Sequence, residues 1–532
     1  MPDTGVTRTY DFTLSYDNIS PDGVQKLGLL INGQYPGPTI EANWGDWIEV
    51  TVHNQLTNEG TALHWHGLLQ KETQWMDGVP GVAQCPIPPG QSFTYRFRAD
   101  LFGTSWYHSH YSAQYVGGSV GPMVIYGPRT EDYDIDLGPI MLNDWYHSAY
   151  YPLVEQTMAP ASENQPIVQS DNILISGHGT FDCSKTTLPC VPNAGLAKFQ
   201  FQSGKTHRLR LMNTGAESIL KFSIDEHTMT VIANDYVPLN PYNTTAVTLG
   251  VGQRTDVLVT ADLDSTSAVF MRANAGPGLA AGGCNSNNPE ASQAMAVIYY
   301  EDANTTVIPT SSPQSDAELT YCGNDDLSLT TPLQELAPVT DAATTQEVHI
   351  SYRSNGTHNL FYMGEETYRA DYNDAILLSA NQGDLQFPAQ SNVYDFGSNA
   401  TVNLVVYNHF PAEHPMHMHG HNYWVLAEGT GRWNGRITNP HNPQRRDVQI
   451  LQPGSQHGPP SYIVVQITQD NPGIWPFHCH IAWHVSGGLY MNLLERKEDI
   501  TGLKIPGQMA QTCSDWADYT NSMAPDQIDS GL

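Results

Sequence analysis

Two stretches near opposite ends of the chain are copies of one another. "WYHSHYSAQYVGGS" spans residues 106–119, and "PFHCHIAWHVSGGL" spans residues 476–489. Aligned, His108 and His110 fall on His478 and His480, and Gly117 and Gly118 on Gly487 and Gly488. Upstream of each lies a second match. "LHWHG" places His64, His66 and Gly67 where "MHMHG" places His417, His419 and Gly420. Matched motifs in the same order predict that the first and last thirds are copies of one folding unit. Each His-x-His pair sits in β sequence, so its two histidines project from one strand face. The copies differ at two telling positions: Ser109 stands where Cys479 does, and Gln114 where His484 does. The middle third has no His-x-His pair.

The intervening sequence reads as β throughout. Runs such as "DWIEVTVHN", "SFTYRFRA" and "SYIVVQIT" are short and β-branched, with Gly, Pro, Asn and Asp between them. That spacing predicts an all-β chain of sandwich domains. The expected boundaries are a first domain over 1–128, a second over 129–305, a linker over 306–345, a third over 346–500 and a tail over 501–532. The linker is rich in Thr, Ser, Asp and Pro. The tail reads as irregular, and no long amphipathic helix is expected anywhere.

Lys and Arg number 23 against 54 Asp and Glu, a net charge of −31. This predicts a soluble chain that repels nucleic acid and anionic membranes. No apolar run approaches the ~18 residues that span a bilayer. Sequons at Asn18, Asn243, Asn304, Asn355 and Asn399 fit a secreted, extracellular glycoprotein whose leader has been removed or replaced by Met1. Of the seven cysteines, six could form three disulfides in an oxidising compartment. The odd one needs another role, and Cys479 alone is flanked by histidines.

Four clusters hold the metal-ligand candidates: His64 and His66; His108 and His110; His414, His417 and His419; His478, Cys479, His480 and His484. Ten imidazoles with one thiolate suit copper better than zinc, which favours more thiolates or a single open tetrahedron. Cys479 with His484 and His414 makes the trigonal set of a blue, type 1 copper. The axial position, about ten residues past the cysteine, holds Leu489 and not Met. Without a thioether, Cu(II) is less stabilised and the site is a stronger oxidant. Eight histidines remain, dividing as two, three and three. Three coppers plus the blue one hold four electrons, the number that takes O2 to two waters.

At these motifs the chain resembles the multicopper oxidases, with details similar to ascomycete fungal laccases. "HWHG", "WYHSH", "HPMHMHGH" and "HCHIAWHVSGGL" match in order and spacing, and the resemblance covers essentially the whole chain. It implies three cupredoxin-like, plastocyanin-type Greek-key sandwiches and four copper ions. Type 1 copper would take His414, Cys479 and His484, and type 2 copper His64 and His417. The type 3 pair would take His66, His108 and His480 on one ion, and His110, His419 and His478 on the other. The resemblance also implies disulfides Cys85–Cys513 and Cys284–Cys322, leaving Cys183 and Cys190 to close a local loop.

Further roles carry over with alternatives open beside them. Asp77 resembles the family's acid near the three-copper site, where a carboxylate relays protons; a plain turn Asp before Gly78 is the alternative. Basidiomycete members carry an Asp two residues past the second histidine of the fourth motif, and this chain has Ala482 there. The terminal "DSGL" resembles a processed tail that plugs the channel to the cluster, with Asp529 delivering protons and the Leu532 carboxylate close by. A frayed terminus is the alternative. Glu217 aligns with an acid that takes the proton of a phenol beside the type 1 histidine, or is an ordinary surface acid. Trp483 walls that pocket or is a packing aromatic.

The expected activity is that of a monomeric laccase. It would oxidise phenols and aromatic amines one electron at a time while reducing O2 to water. Lignin fragments, plant defence phenols and pigment precursors are its candidate substrates. A metallo-oxidase acting on Fe(II), Mn(II) or Cu(I), or a bilirubin-type enzyme, is the alternative. A cupredoxin without turnover would have lost a cluster histidine or Cys479, and none is lost.

Overall fold

The structure is a computed structural model that describes residues 1–531 except 164–166, 276–292, 315–321, 343 and 524–526. Its described strands form six sheets, of four and four, six and five, and six and five strands along the chain. In each third the first sheet is built in one way. In the first third, Thr7–Ile19 pairs antiparallel with Lys26–Ile31 and parallel with Trp47–Asn54. In the last third, Thr344–Ser354 pairs antiparallel with Asn359–Met363 and parallel with Thr401–Asn408. The sequence repeat is thus a repeat of topology.

Alternation builds these sheets. Strand Trp47–Asn54 buries Ile48, Val50, Val52 and Asn54 and leaves the residues between them half-buried, as one buried face requires. Three further strands carry the matched motifs: β1 (Leu63–Trp65), β2 (Gly103–Ser109) and β3 (His414–Met418). With β4 (Gly473–Cys479) they complete the set. β1 pairs with β2 so that His64 faces His108, and β3 pairs with β4 so that His417 faces His478. The middle third has its own apolar core, including Leu209, Phe222, Val257 and Ile298.

The tail corrects one expectation. Residues beyond 500 are not irregular: after β4 comes a short helix α1 (Ala482–Ser486), and the tail forms a 17-residue helix α2 (Gly507–Met523). Met509, Thr512, Cys513 and Trp516 lie at i, i+3, i+4 and i+7, and this stripe packs inward. With a threonine and a cysteine in it, that stripe carries little apolar contrast in the sequence. Disulfides join Cys85 to Cys513 and Cys183 to Cys190, as expected. Cys284, the expected partner of Cys322, lies outside the described residues, as does Leu532.

Candidate metal centres

β4 ends on the cysteine that the two histidines flank. Its extended backbone sends Cys479 to one face and His478 to the other. The short α1 then turns the chain back, so that His484 meets His414 from β3. The Nδ1 atoms of His414 and His484 lie 3.0 Å apart, and Cys479 Sγ lies 3.5 Å from His484 Nδ1. All three side chains are buried. Burial pushes both imidazoles down, His484 to about 3, so their lone pairs are free at neutral pH. Burial also pushes the Cys479 thiol well up, so a thiolate here needs a cation beside it. Leu489 is fully buried, and its carbonyl accepts the Cys479 N–H at 3.2 Å.

On the other face of β4, all eight remaining histidines converge. His66 and His480 lie 5.1 Å apart between ring centres, and His108 and His480 5.2 Å. His110, His419 and His478 bring ring nitrogens within 4.8 Å of one another, as do His64, His417 and His419. The outer nitrogens are held by carbonyls: His64 Nδ1–H donates to Asp77 at 2.8 Å and His417 Nδ1–H to Asp447 at 2.9 Å. His108 donates in the same way to Ser109 at 2.9 Å, and His478 to Cys479 at 2.8 Å. These bonds fix the tautomer, leaving Nε2 of each ring to a metal. Nε2 of His64, His108 and His417 and both ring nitrogens of His480 are buried without a partner. Burial holds His66, His108, His110, His417, His419 and His480 well below their usual values. Inward-facing neutral imidazoles without donors fit metal ions, and a thiolate among imidazoles on the opposite face fits copper.

Asp77 stands both in a turn and beside the histidines. Gly78 follows at φ +80°, and a Cβ there would fall 1.7 Å from the Leu63 carbonyl oxygen, so the turn requires glycine. The Asp77 carboxylate also lies 2.8 Å from His419 Nδ1 and 3.2 Å from His64 Nδ1. Asp529 is buried and accepts hydrogen bonds from Ser112 Oγ at 2.7 Å and Ser486 Oγ at 3.2 Å. The tail is therefore seated between the first and last domains. Burial raises the Asp529 carboxyl above its ordinary value.

A cavity of about 310 Å3 lies against His484. Glu217, Trp483, Phe361 and Phe410 line it, and the Trp483 indole N–H reaches the Tyr146 hydroxyl at 3.4 Å. Glu217 is held by a residue that sequence reasoning missed. The Asp144 carboxylate accepts the N–H groups of Ala216, Glu217 and Ser218 at 2.6, 3.0 and 2.9 Å. The Ala482 N–H donates to the Ala216 carbonyl at 2.8 Å, tying this loop to α1. Asp447 was missed as well. It lies 3.3 Å from His66 Nε2 and is gripped by both terminal nitrogens of Arg254, at 2.5 and 2.7 Å. It sits between the two-residue strand Arg445–Arg446 and the strand Val448–Leu451, where nothing in "RRDV" marks it in the sequence.

Three multicopper oxidase family models match the chain, over residues 13–130, 136–303 and 352–499. The chain is 36% identical to Laccase-2 of Botryotinia fuckeliana, over 100% of this chain and 89% of that one. It is 35% identical to dihydrogeodin oxidase of Aspergillus terreus, over 97% and 88%. The crystal structure of a laccase from Botrytis aclada superimposes with a TM-score of 0.90 at 34% identity, covering 99% of this chain and 95% of that one.

Proposed function

The chain belongs to the multicopper oxidases, with their three cupredoxin-like domains, and on that premise we propose that it is a laccase. When bound, four coppers supply a one-electron acceptor at the Cys479 face and a four-electron O2-reducing centre at the histidine face. We assign type 1 copper to His414, Cys479 and His484, type 2 to His64 and His417, and the type 3 pair to the other six histidines.

The observation that carries the substrate reading is the cavity at His484. It joins an imidazole edge, a buried carboxylate and aromatic walls in one space of about 310 Å3. A phenol or aromatic amine stacks against Phe361, Phe410 and Trp483, with its polar group toward Glu217. Losing an electron makes a phenol hydroxyl far more acidic, and Glu217 accepts the proton. Asp144 holds the backbone that carries Glu217 in place. The Cys479 backbone links the two centres, because its carbonyl holds the His478 ring and its neighbour is His480. Asp77, beside His419 and His64, and Asp529, between Ser112 and Ser486, are the carboxylates placed to pass protons to the histidine cluster.

Paired cysteines and exposed Asn18, Asn243, Asn304 and Asn355 support a place outside the cell. Asn399 is the exception among the sequons. Its side-chain nitrogen donates to Thr344 Oγ1 and the Phe396 carbonyl, so glycosylation, which replaces one of its two N–H hydrogens, would break one of these bonds. The ligand set is complete within one chain, which supports a working monomer. The test is direct. Copper-loaded protein should be intensely blue and should consume O2 with a simple phenol. A blue protein inert to phenols and aromatic amines yet active on Fe(II) would overturn the reading.

A further inference from the structure

A second cavity, of about 760 Å3, opens where the three domains and the linker meet. It shares no lining residue with the cavity at His484. Its size falls within the roughly 300–1,000 Å3 of small-molecule sites. The first domain contributes Trp44 and Phe102, whose rings lie 5.2 Å apart. The last domain contributes Trp424 and Arg445. These two are directly opposed across an antiparallel strand pair, so both side chains leave the sheet on one face. The linker fixes both. The Trp424 indole N–H donates to the Leu336 carbonyl at 3.0 Å, and Arg445 Nη2 donates to the Gln334 carbonyl at 2.6 Å.

The other charged groups around this cavity already have partners. Lys71 pairs with Asp470 at 2.7 Å and His421 with Glu495 at 2.8 Å. Asp100 accepts the backbone N–H groups of Leu69 and Lys71 at 3.3 and 3.5 Å. Arg445 is different. It is only 9% exposed, its Nε has no partner, and no carboxylate pairs with it among the described residues. Burial pushes its guanidinium below the ordinary value with no neighbouring charge opposing the shift. A buried cation without a counter-charge is costly, and an anion supplied from solution relieves that cost. A planar guanidinium fork matches a carboxylate in particular. The aromatic faces beside it match a flat, apolar body.

We propose that this cavity binds a planar organic carboxylate, held at its charged end by Arg445 and along its ring system by Trp44, Phe102 and Trp424. The bound acid touches the first and last domains, so it stabilises their contact by mass action. It occupies a different cavity from the phenol and does not compete with it.

The copper-loaded protein titrated with 2-naphthoate tests this, with 2-naphthamide as the uncharged counterpart. Calorimetry and thermal melting should show one site for the acid, a rise in Tm, and amide binding weaker by roughly tenfold or more. Arg445→Gln should weaken the acid by a similar factor and leave the amide unchanged. Naphthoate should not raise KM for a phenol. Equal affinity for acid and amide overturns the proposal, as does acid binding that Arg445→Gln leaves intact, or competition with the phenol. If Arg445→Gln does not fold, the comparison of acid with amide on the unaltered protein decides the matter.

Discussion

At the scale of single residues, Cys479 and Leu489 set what the electron-accepting site can do. Cys479→Ser should abolish the blue colour while the eight-histidine cluster still takes up copper, because those imidazoles lie on the opposite face of β4. Optical spectra with copper counting check this. Leu489→Met would place a thioether toward the copper, stabilise Cu(II) and lower the type 1 potential. An unchanged potential would mean that another residue holds the axial position. Lys26 makes a stability prediction. Its ammonium is buried 4.3 Å above the Trp145 ring, and burial lowers its pKa to about 7 against the pull of Asp171 and Asp22. Between about 7 and 10.5 the unfolded chain binds a proton that the folded chain does not, so stability rises with pH across that window. Lys26→Met should remove this slope. Its advantage over the parent should be on the order of a few kcal/mol below pH 7 and should shrink as pH approaches 10. Melting curves at pH 6, 8 and 10 read it. The ligand histidines were legible as residues because their spacing is periodic. Asp144 and Asp447 were not, since a single carboxylate that orients a loop or a histidine has no local pattern to betray it.

At the scale of elements, the two copies of the ligand strand can be compared atom by atom. By the motif alignment, Thr61, Ser109 and Gln114 hold the places of His414, Cys479 and His484. In the first domain these three are hydrogen-bonded to one another. Thr61 Oγ1 and Ser109 Oγ both donate to Gln114 Oε1, at 2.9 and 2.7 Å, and Gln114 Nε2 donates to Glu59 at 2.8 Å. A polar network thus joins the three positions that in the third domain are His414, Cys479 and His484. Ser109→Cys alone should not give a second blue centre, because both imidazoles are missing. Copper counting with optical spectra would show one type 1 copper per chain. Gln114→Ala strands the buried hydroxyls of Thr61 and Ser109, while Glu59 keeps the Tyr16 and Tyr150 hydroxyls, and should cost about 2–4 kcal/mol in a denaturant titration. The repeat and the strand alternation were legible because a period of two leaves its mark on every residue. Helix α2 was not, because its inward stripe of Met509, Thr512, Cys513 and Trp516 carries too little apolar contrast.

At the scale of the whole molecule, the chain's last residues close the contact between its first and last domains. Trp516 of α2 sits 6.3 Å from the Tyr111 ring and 6.0 Å from the Tyr372 ring. Beyond the helix, the Ser530 N–H donates to the Ser486 carbonyl, the Ala370 N–H to Ser530, and the Ser112 N–H to Gly531, at 2.8–2.9 Å. The tail thus adds backbone bonds to both domains that build the histidine cluster. Cys85–Cys513 anchors this arrangement across 428 residues of chain. Closing so long a loop constrains the unfolded chain strongly, and breaking it should cost up to about 5 kcal/mol. Cys513→Ser therefore separates two contributions. If the disulfide holds the tail down, melting falls and the amides of Ser112 and Ala370 lose protection from hydrogen exchange together. If the tail's own bonds suffice, melting falls while those amides stay protected, because the disulfide then acts on the unfolded chain alone. Burial of Asp529 between Ser112 and Ser486, with the backbone bonds on either side of it, favours the second outcome.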